Sequence, residues 1–257
     1  MNLLIAVPTY NEAANVDRVI DDIKPYSSDI LIVDDGSSDG TADLVDRRHD
    51  VRVLRHNPNQ GYGRSLIDAF QYADQHGFDW VITMDADGQH EAESIPDFIR
   101  DINSGEWDLI SGSRYLAAKN TDDLPPPERR NVNHRITTIL NNIMGLELTD
   151  SFCGFKAHRV SSMLSLNLDE AGYAFPLQLW PRVWDAKLRM KEIPVRRIYN
   201  DPNRSFGADL DDAGRRFAHY VDVLNRELVR IGHPPVEPDV APGRAPPTRT
   251  SQGCGCR

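Results

Sequence analysis

A mainly parallel α/β sheet with helices on both faces is the fold class this sequence predicts, and three observations carry it. Short, partly β-branched apolar runs alternate with stretches of helical period from the N-terminus to about residue 112. The connections are short, as right-handed βαβ units require. The chain has 257 residues, enough to bury a substantial core.

Residues 3–7 read as a first buried strand, ended by Pro8. Thr9 or Asn11 can cap the next helix, whose inward stripe is Val16, Val19, Ile20 and Ile23. Residues 30–33 form a second strand, closed by the polar loop 34–41, which can cap a helix near residues 43–45. A third strand at 51–54 leads through Asn57-Pro58-Asn59-Gln60-Gly61-Tyr62-Gly63 into a helix over about 64–76. Gly61 and Gly63 either let the backbone approach a ligand or set a turn. Residues 80–84 are the fourth strand, 95–103 a helix and 108–112 the fifth strand.

Past Tyr115 the alternation breaks. Residues 117–127 are polar and proline-rich, the composition of a mobile loop. A helix over about 130–144 follows, with Ile136, Ile139, Leu140 and Ile143 on one side, either resting on a membrane or buried against the sheet. Residues 149–155 read as irregular, 160–164 and 177–186 as helices, 192–198 as a strand and 209–231 as a charged closing helix. From 232 prolines, glycines and arginines dominate without apolar period, and a disordered tail is expected. Cys254-Gly255-Cys256 in that tail lacks a second ligand pair and reads as incidental.

The net charge of −10 excludes a general nucleic-acid binder and a protein held on anionic lipid by charge alone. No run approaches the roughly 18 to 20 apolar residues of a membrane span, and Met1 leads directly into a strand. Three widely separated or tail cysteines do not make a disulfide framework, so the cytoplasm is the expected compartment.

The fourth strand ends in Met84-Asp85-Ala86-Asp87-Gly88-Gln89-His90. At the carboxyl end of a buried parallel strand, Asp85 and Asp87 face the crevice where open α/β sheets bind ligands. Two carboxylates and Gln89, with phosphate oxygens, suit Mg²⁺ or Mn²⁺ better than zinc. A bare Asp-x-Asp also occurs in acidic surface turns, and by itself the motif leaves both readings open. His90 reads as a surface residue beside that loop.

Four loops together resemble the nucleotide-sugar half of family-2 glycosyltransferases. They are Val7-Pro8-Thr9-Tyr10-Asn11-Glu12, Val33-Asp34-Asp35-Gly36-Ser37, the 84–90 segment and Ser111-Gly112-Ser113-Arg114-Tyr115. Within that family the chain is most similar to polyprenol-phosphate (dolichol-phosphate mannose type) glycosyl synthases, strongly over 1–116 and more weakly over 128–207. The resemblance implies a GT-A (Rossmann-like) fold with a C-terminal helical extension. It divides one domain into a nucleotide-sugar-binding half at 1–116 and an acceptor half with closing helices at 117–231, before the tail at 232–257.

By the same resemblance, Pro8, Tyr10 and Glu12 meet the nucleoside, and Val33 and Asp35 read its base. Asp85, Ala86 and Asp87 line the nucleotide and sugar, and Asp87 with Gln89 holds Mg²⁺ or Mn²⁺. Arg114 is directed at phosphate, making it a catalytic candidate with Asp87. Arg130 matches a second acceptor-phosphate arginine, with Arg129 fitting the spacing almost as well, and Arg204 stands for an arginine of the closing loop. Asp34 is expected to have a structural, turn-forming role.

The acceptor half departs from the pattern. Cys153-Gly154-Phe155-Lys156 replaces Ser-Gly-Phe-Arg, and Gln178 stands where a carboxylate is usual. The expected activity is metal-dependent, inverting transfer of a hexose from a GDP- or UDP-sugar to a polyprenyl phosphate, by an enzyme peripheral at the membrane face. Alternatives are a soluble sugar or small-molecule hydroxyl as acceptor, and a non-catalytic nucleotide-sugar binder. A hydroxyl acceptor needs a carboxylate base, for which Asp150, Asp169 and Glu170 are unranked candidates. No nucleic-acid partner is expected.

Overall fold

A computed structural model describes residues 1–116, 127–196 and 212–237, with side chains from 130 onward in the second segment. The first half alternates as the pattern predicts. Strands β1 (Leu3–Thr9), β2 (Ile30–Asp34), β3 (Arg52–Arg55), β4 (Trp80–Thr83) and β5 (Leu109–Ser113) are interleaved with α1 (Val16–Ile23), α2 (Thr41–Asp46), α3 (Tyr62–Gln75) and α4 (Ile95–Asn103). The second half supplies α5 (Pro127–Met144), β6 (Lys156–Arg159), α6 (Val160–Ser165), α7 (Phe175–Asp185), β7 (Met190–Pro194) and α8 (Ala213–Arg230).

The strands form one seven-stranded sheet in the order β3-β2-β1-β4-β6-β5-β7. β1, β2, β3 and β4 pair in parallel, as do β5 and β7, while β6 runs antiparallel between β4 and β5. Successive residues of a strand point to opposite faces, and both faces are buried. Ile5, Val7, Ile30, Ile32 and Ile82 pack with α1 and α4 on one side. Leu4, Ala6, Leu31, Val33 and Val81 pack with α3, α5, α6, α7 and α8 on the other. That continuous burial is why these strands read as unbroken apolar runs.

Several expectations are corrected. β6 falls in a stretch with no strand signal, because Lys156 and His158 are polar yet buried. β1 does not stop at Pro8 but continues to Thr9, with Pro8 opposite Val33. Neither Thr9 nor Asn11 caps α1, whose N-cap position is Asn15 without a side-chain cap bond. Asn11 instead joins two loops, its N–H donating to Ser37 Oγ (3.0 Å) and its Oδ1 accepting from Ser38 N–H (2.8 Å). The α5 stripe is covered by protein, with Ile136 and Leu140 fully buried and Ile139 and Ile143 packed on the core. Among the described residues no helix is long and apolar enough to cross a membrane.

The segment 232–237, assigned to the tail by composition, packs back on α8. Asn225 exchanges two hydrogen bonds with the Val236 backbone, at 2.7 and 3.0 Å, and His233 meets Trp184 edge-on. Of the loop expected at 117–127, Pro127 already belongs to α5; residues 117–126 and the tail from 238 onward, with Cys254 and Cys256, lie outside the described residues.

Candidate active site

The C-terminal ends of β1, β2, β4 and β5 come to one edge of the sheet. β6 runs the other way, so the loop that feeds it, residues 150–155, arrives at that same edge. A cleft of about 610 Å³ opens there, with α5, α7 and α8 contributing the far wall. Pro8, Tyr10, Glu12, Asp35, Asp85, Ala86, Asp87, Gln89 and Arg114 all line it. Val33 does not. Its side chain is fully buried in the core, and only Asp35 of the expected base-reading pair reaches the cleft.

The two acidic residues after β2 divide their roles. Asp34 is completely buried, accepting from Ser37 N–H (3.0 Å) and Arg55 Nε (2.9 Å), so it shapes the turn. Asp35 organises the loop opposite. Its Oδ1 faces His56 Nδ1 and accepts from Gln60 N–H, both at 2.7 Å, and its Oδ2 accepts from Gly61 N–H at 2.8 Å. The other ring nitrogen of His56 faces Asp68 Oδ2 at 2.9 Å.

After β4 the chain turns sharply through Gly88, at φ +68°. Asp87 Oδ1 accepts from Gln89 N–H at 2.9 Å, which fixes the turn. Asp85 Oδ1 accepts from the Tyr62 hydroxyl at 3.0 Å. Burial and the neighbouring Asp85 charge both push the Tyr62 phenol well above its usual range, so it stays a donor. A Cβ on Gly154 would lie 2.6 Å from Asp85 Oδ2, so the carboxylate keeps its place only beside a glycine. His90 is not a surface residue. It is buried, stacked on Phe155, and takes Asp85 N–H on Nδ1 at 3.3 Å.

Among the described residues no group of three His, Cys, Asp or Glu side chains could hold a metal alone. Asp85, Asp87 and Gln89 nevertheless offer hard oxygen donors on one turn of the cleft wall. That set fits Mg²⁺ or Mn²⁺ completing its shell with phosphate oxygens and water, the usual arrangement when substrate phosphates share the ion.

Arg114, following β5, meets a carboxylate from the 150–155 loop. Its Nε and Nη2 donate to Asp150 Oδ2 and Oδ1 at 2.5 and 2.7 Å, and Asn133 Nδ2 adds a bond to Oδ1 at 2.9 Å. Burial pushes the Asp150 carboxyl up, but the Arg114 charge and these bonds outweigh it and hold it at about 2. Behind it, Glu192 on β7 accepts from Thr149 N–H, Thr149 Oγ1 and Asp150 N–H at 2.7, 2.8 and 3.0 Å. Asp150 is therefore the counter-ion of Arg114 and is spent as a base.

The other two base candidates are also committed elsewhere. Glu170 pairs with Arg226 at 2.5 Å and Asp169 with Arg230 at 2.9 Å, both on α8, and Gln178 accepts from both backbone N–H groups at 2.8 Å. Neither carboxylate lines the cleft. Their loop explains the glycine pair. A Cβ on Gly61 would sit 2.4 Å from Ala171 O and one on Gly63 2.1 Å from Glu170 O. The close approach is to protein backbone, not to a ligand.

Arg130 is half-buried and does not line the cleft. The side chains of Arg129 and Arg204 lie outside the described residues. Tyr62, Asn133, Tyr173, Arg216 and Tyr220 line the cleft without having been singled out from sequence. Arg216 carried one signal, being a charged residue beside the apolar stripe Phe217, Tyr220, Val221, Leu224 and Leu228 of the closing helix.

The family model Glycosyl transferase family 2 matches residues 4–164. An undecaprenyl-phosphate mannosyltransferase of Micrococcus luteus is 30% identical over 214 residues, covering 80% of this chain and 87% of that protein. A polyprenol monophosphomannose synthase of Mycolicibacterium smegmatis is 28% identical over 202 residues, covering 75% and 76%. Glucosyl-3-phosphoglycerate synthase of Mycobacterium tuberculosis, solved with Mn²⁺, uridine-diphosphate-glucose and phosphoglyceric acid, shares the fold. It superposes with a TM-score of 0.68 at 19% identity, over 91% of this chain and 80% of that one.

Proposed function

The chain belongs to glycosyl transferase family 2 and is a glycosyltransferase of GT-A fold; from that membership we propose that it moves a hexose from a nucleoside diphosphate sugar to the phosphate of a polyprenyl phosphate, with inversion and with Mg²⁺ or Mn²⁺. Of two relatives over most of the chain, one is named an undecaprenyl-phosphate mannosyltransferase and the other a polyprenol monophosphomannose synthase. The observation that carries the acceptor class is the partition of charge along the cleft. Its described carboxylates, Glu12, Asp35, Asp85 and Asp87, follow β1, β2 and β4, whereas Arg114 follows β5 on the other side of β6.

That partition suits an anionic acceptor. A hydroxyl must lose a proton as it attacks and so needs a base. Asp150, Asp169 and Glu170 are all held by arginines. A phosphate arrives already ionised and needs cations to bring it beside a second anion. The acceptor's phosphate oxygen forms the new bond to the anomeric carbon, and the bond from that carbon to the diphosphate breaks, its electron pair leaving with the nucleoside diphosphate.

Asp87 and Gln89, with Asp85 beside them, would hold the divalent ion, which supplies positive charge to the departing diphosphate. Tyr10 and Glu12 offer an aromatic face and a carboxylate to the nucleoside, and Asp35 presents its remaining lone pair at the same end. Arg114, locked by Asp150, which Asn133 fixes in turn, meets the acceptor phosphate. Enzyme and lipid meet at a membrane surface without a span in the described chain.

Calorimetric titration of UDP and GDP, with and without Mn²⁺, into wild type and Asp87→Ala tests the donor site. Metal-dependent binding of one nucleotide, abolished by the substitution, is expected. Equal binding by the variant would place the metal elsewhere. Transfer to a short polyprenyl phosphate, compared with 3-phosphoglycerate and with the unphosphorylated prenol, tests the acceptor. Turnover with the prenol would overturn the phosphate assignment.

A further inference from the structure

Behind the cleft, one buried ring joins two carboxylates. His56 follows β3, is only 5% exposed and does not itself line the cleft. Its Nδ1 faces Oδ1 of the cleft residue Asp35 at 2.7 Å, and its Nε2 faces Asp68 Oδ2 on α3 at 2.9 Å. The His56 backbone N–H donates to Asp34 O at 2.9 Å. On the far side Arg64 holds Asp68 through Nε at 2.8 Å and through Nη2, and the Arg64 backbone N–H donates to Ala171 O at 3.1 Å.

We propose that His56 is a positioning residue for the donor: through Asp35 it aims one carboxylate oxygen at the ring N–H of the nucleobase. This rests on the donor reading above, in which Asp35 meets the nucleoside, and names what gives that carboxylate its direction.

The two oxygens of a carboxylate offer about four acceptor sites. Gln60 N–H and the His56 ring occupy Oδ1, and Gly61 N–H occupies one site of Oδ2, so the site left over belongs to Oδ2. Gln60 and Gly61 are neighbours on one loop and hold Asp35 from one side. Only His56, of these three, holds it with a side chain anchored elsewhere. The torsion that turns a carboxylate about its own bond has broad wells, so its plane must be set by such partners. A site fixed before binding also spares the cost of ordering it on binding. An oxygen aimed in this way selects a base with a proton on the facing ring nitrogen. Uracil and guanine carry one, whereas cytosine and adenine have a bare ring nitrogen there.

The test is calorimetry with Mn²⁺ on full-length wild type, His56→Leu and His56→Asn, using UDP with 3-methyl-UDP and GDP with 1-methyl-GDP. Thermal midpoints are taken on the same samples. The methyl group replaces the ring proton. Asparagine brings an amide nitrogen close to the place of Nδ1, so it keeps the bond to Asp35 and gives up the one to Asp68, while leucine gives up both. His56→Leu is expected to weaken the preferred unmethylated nucleotide about tenfold, the loss of one aligned bond to a charged group. Its methylated form should weaken less than about threefold. His56→Asn should stay within about threefold of wild type on the unmethylated nucleotide even as its thermal midpoint falls, a split that a merely structural role would not give. Equal weakening of both forms by His56→Leu, no weakening, or an asparagine variant as poor as the leucine one overturns the proposal. Where His56→Leu does not fold, Asp68→Ala releases the ring from its far side. It should weaken the unmethylated form about threefold or more and spare the methylated one, and equal effects on the two overturn the proposal. Wild type that binds both forms equally shows that Asp35 does not read the base, so the donor reading fails together with the proposal. Discrimination present in wild type and intact in His56→Leu overturns the proposal alone.

Discussion

Replacing Asp150 with asparagine removes a charge at a point where the fold has no solvent to compensate. The carboxylate is completely buried, and both oxygens accept from Arg114 while Oδ1 also accepts from Asn133. Asparagine turns one of those acceptors into an NH₂ facing the guanidinium. Breaking one side of a buried pair costs about 3–5 kcal/mol, which for a chain of this size is a fall of roughly 6–20 °C in melting temperature. Acidification gives an independent measure. The carboxyl is held at about 2 in the fold against an ordinary value of 3.8. A depressed carboxylate stabilises the fold above its unfolded value and ceases to do so as pH falls toward its folded one. Asp150 therefore contributes about 2 kcal/mol at neutral pH, kept down to about pH 4 and lost toward pH 2. Urea unfolding of wild type and Asp150→Asn at pH 7 and pH 3 reads both quantities. The double variant Arg114→Met, Asp150→Leu should recover most of the stability while transferring no sugar, because an apolar pair replaces an ionic one at little cost. A loss below about 1 kcal/mol for Asp150→Asn at pH 7, with unchanged denaturant dependence, would refute the view that this pair is a fixed element.

Three further outcomes are expected. Gly63→Ala places a methyl group against the Glu170 carbonyl and should lower the urea midpoint by the equivalent of about 1–3 kcal/mol. Nucleotide affinity should fall with it, since the 59–63 loop is pinned to Asp35. Glu192→Gln weakens the hold on Thr149 and Asp150 and should cost about 1–2 kcal/mol in the same assay, with a larger fall in transfer rate as Arg114 loosens. His158 is buried and neutral, pushed down to about 3 by burial and then by the Lys156 charge. The unfolded chain takes up that proton below about pH 6.5, so this residue's share of stability is intact above that pH. It declines by about 1.4 kcal/mol per pH unit on the way down to pH 3. Between pH 7 and 5 wild type should therefore lose about 2 kcal/mol more than His158→Gln, measured by urea unfolding.

The donor side was readable because physics writes it locally. Strands buried on both faces need continuous apolar runs, and the residues that end them at the sheet edge are necessarily close in space. That rule alone puts Asp85 and Asp87 at the crevice, and with them Arg114 at the end of the next strand, on the acceptor side. The acceptor side depends on pairings over long sequence distance, which leave little local trace. Lys156-Ala157-His158-Arg159 does not look like a strand, since the partners of its buried Lys156 Nζ and His158 Nε2, Ser111 and Thr83, come from neighbouring strands far away in sequence. Asp150 looked like a free carboxylate until Arg114 was brought to it from 36 residues away. Gly61 and Gly63 left a ligand approach and a simple turn both open because their partner, the 170–172 backbone, is more than a hundred residues downstream. Arg130 and Arg216 differ in which way their helices turn them, and spacing alone does not give that phase.

The place of β6 also bears on how the protein is made. During synthesis β4 and β5 leave the ribosome well before residues 156–159, yet they meet each other only through that strand. Until it arrives, each presents an open edge capable of pairing with another chain. The nascent first half is thus a four-stranded fragment and a lone strand rather than a finished nucleotide-binding module, and release after residue 116 would yield an aggregation-prone product. Chaperone dependence of the growing chain should peak before β6 emerges and drop once it has closed the gap. A gene cut between the two halves would then give function only when both pieces are present as they fold.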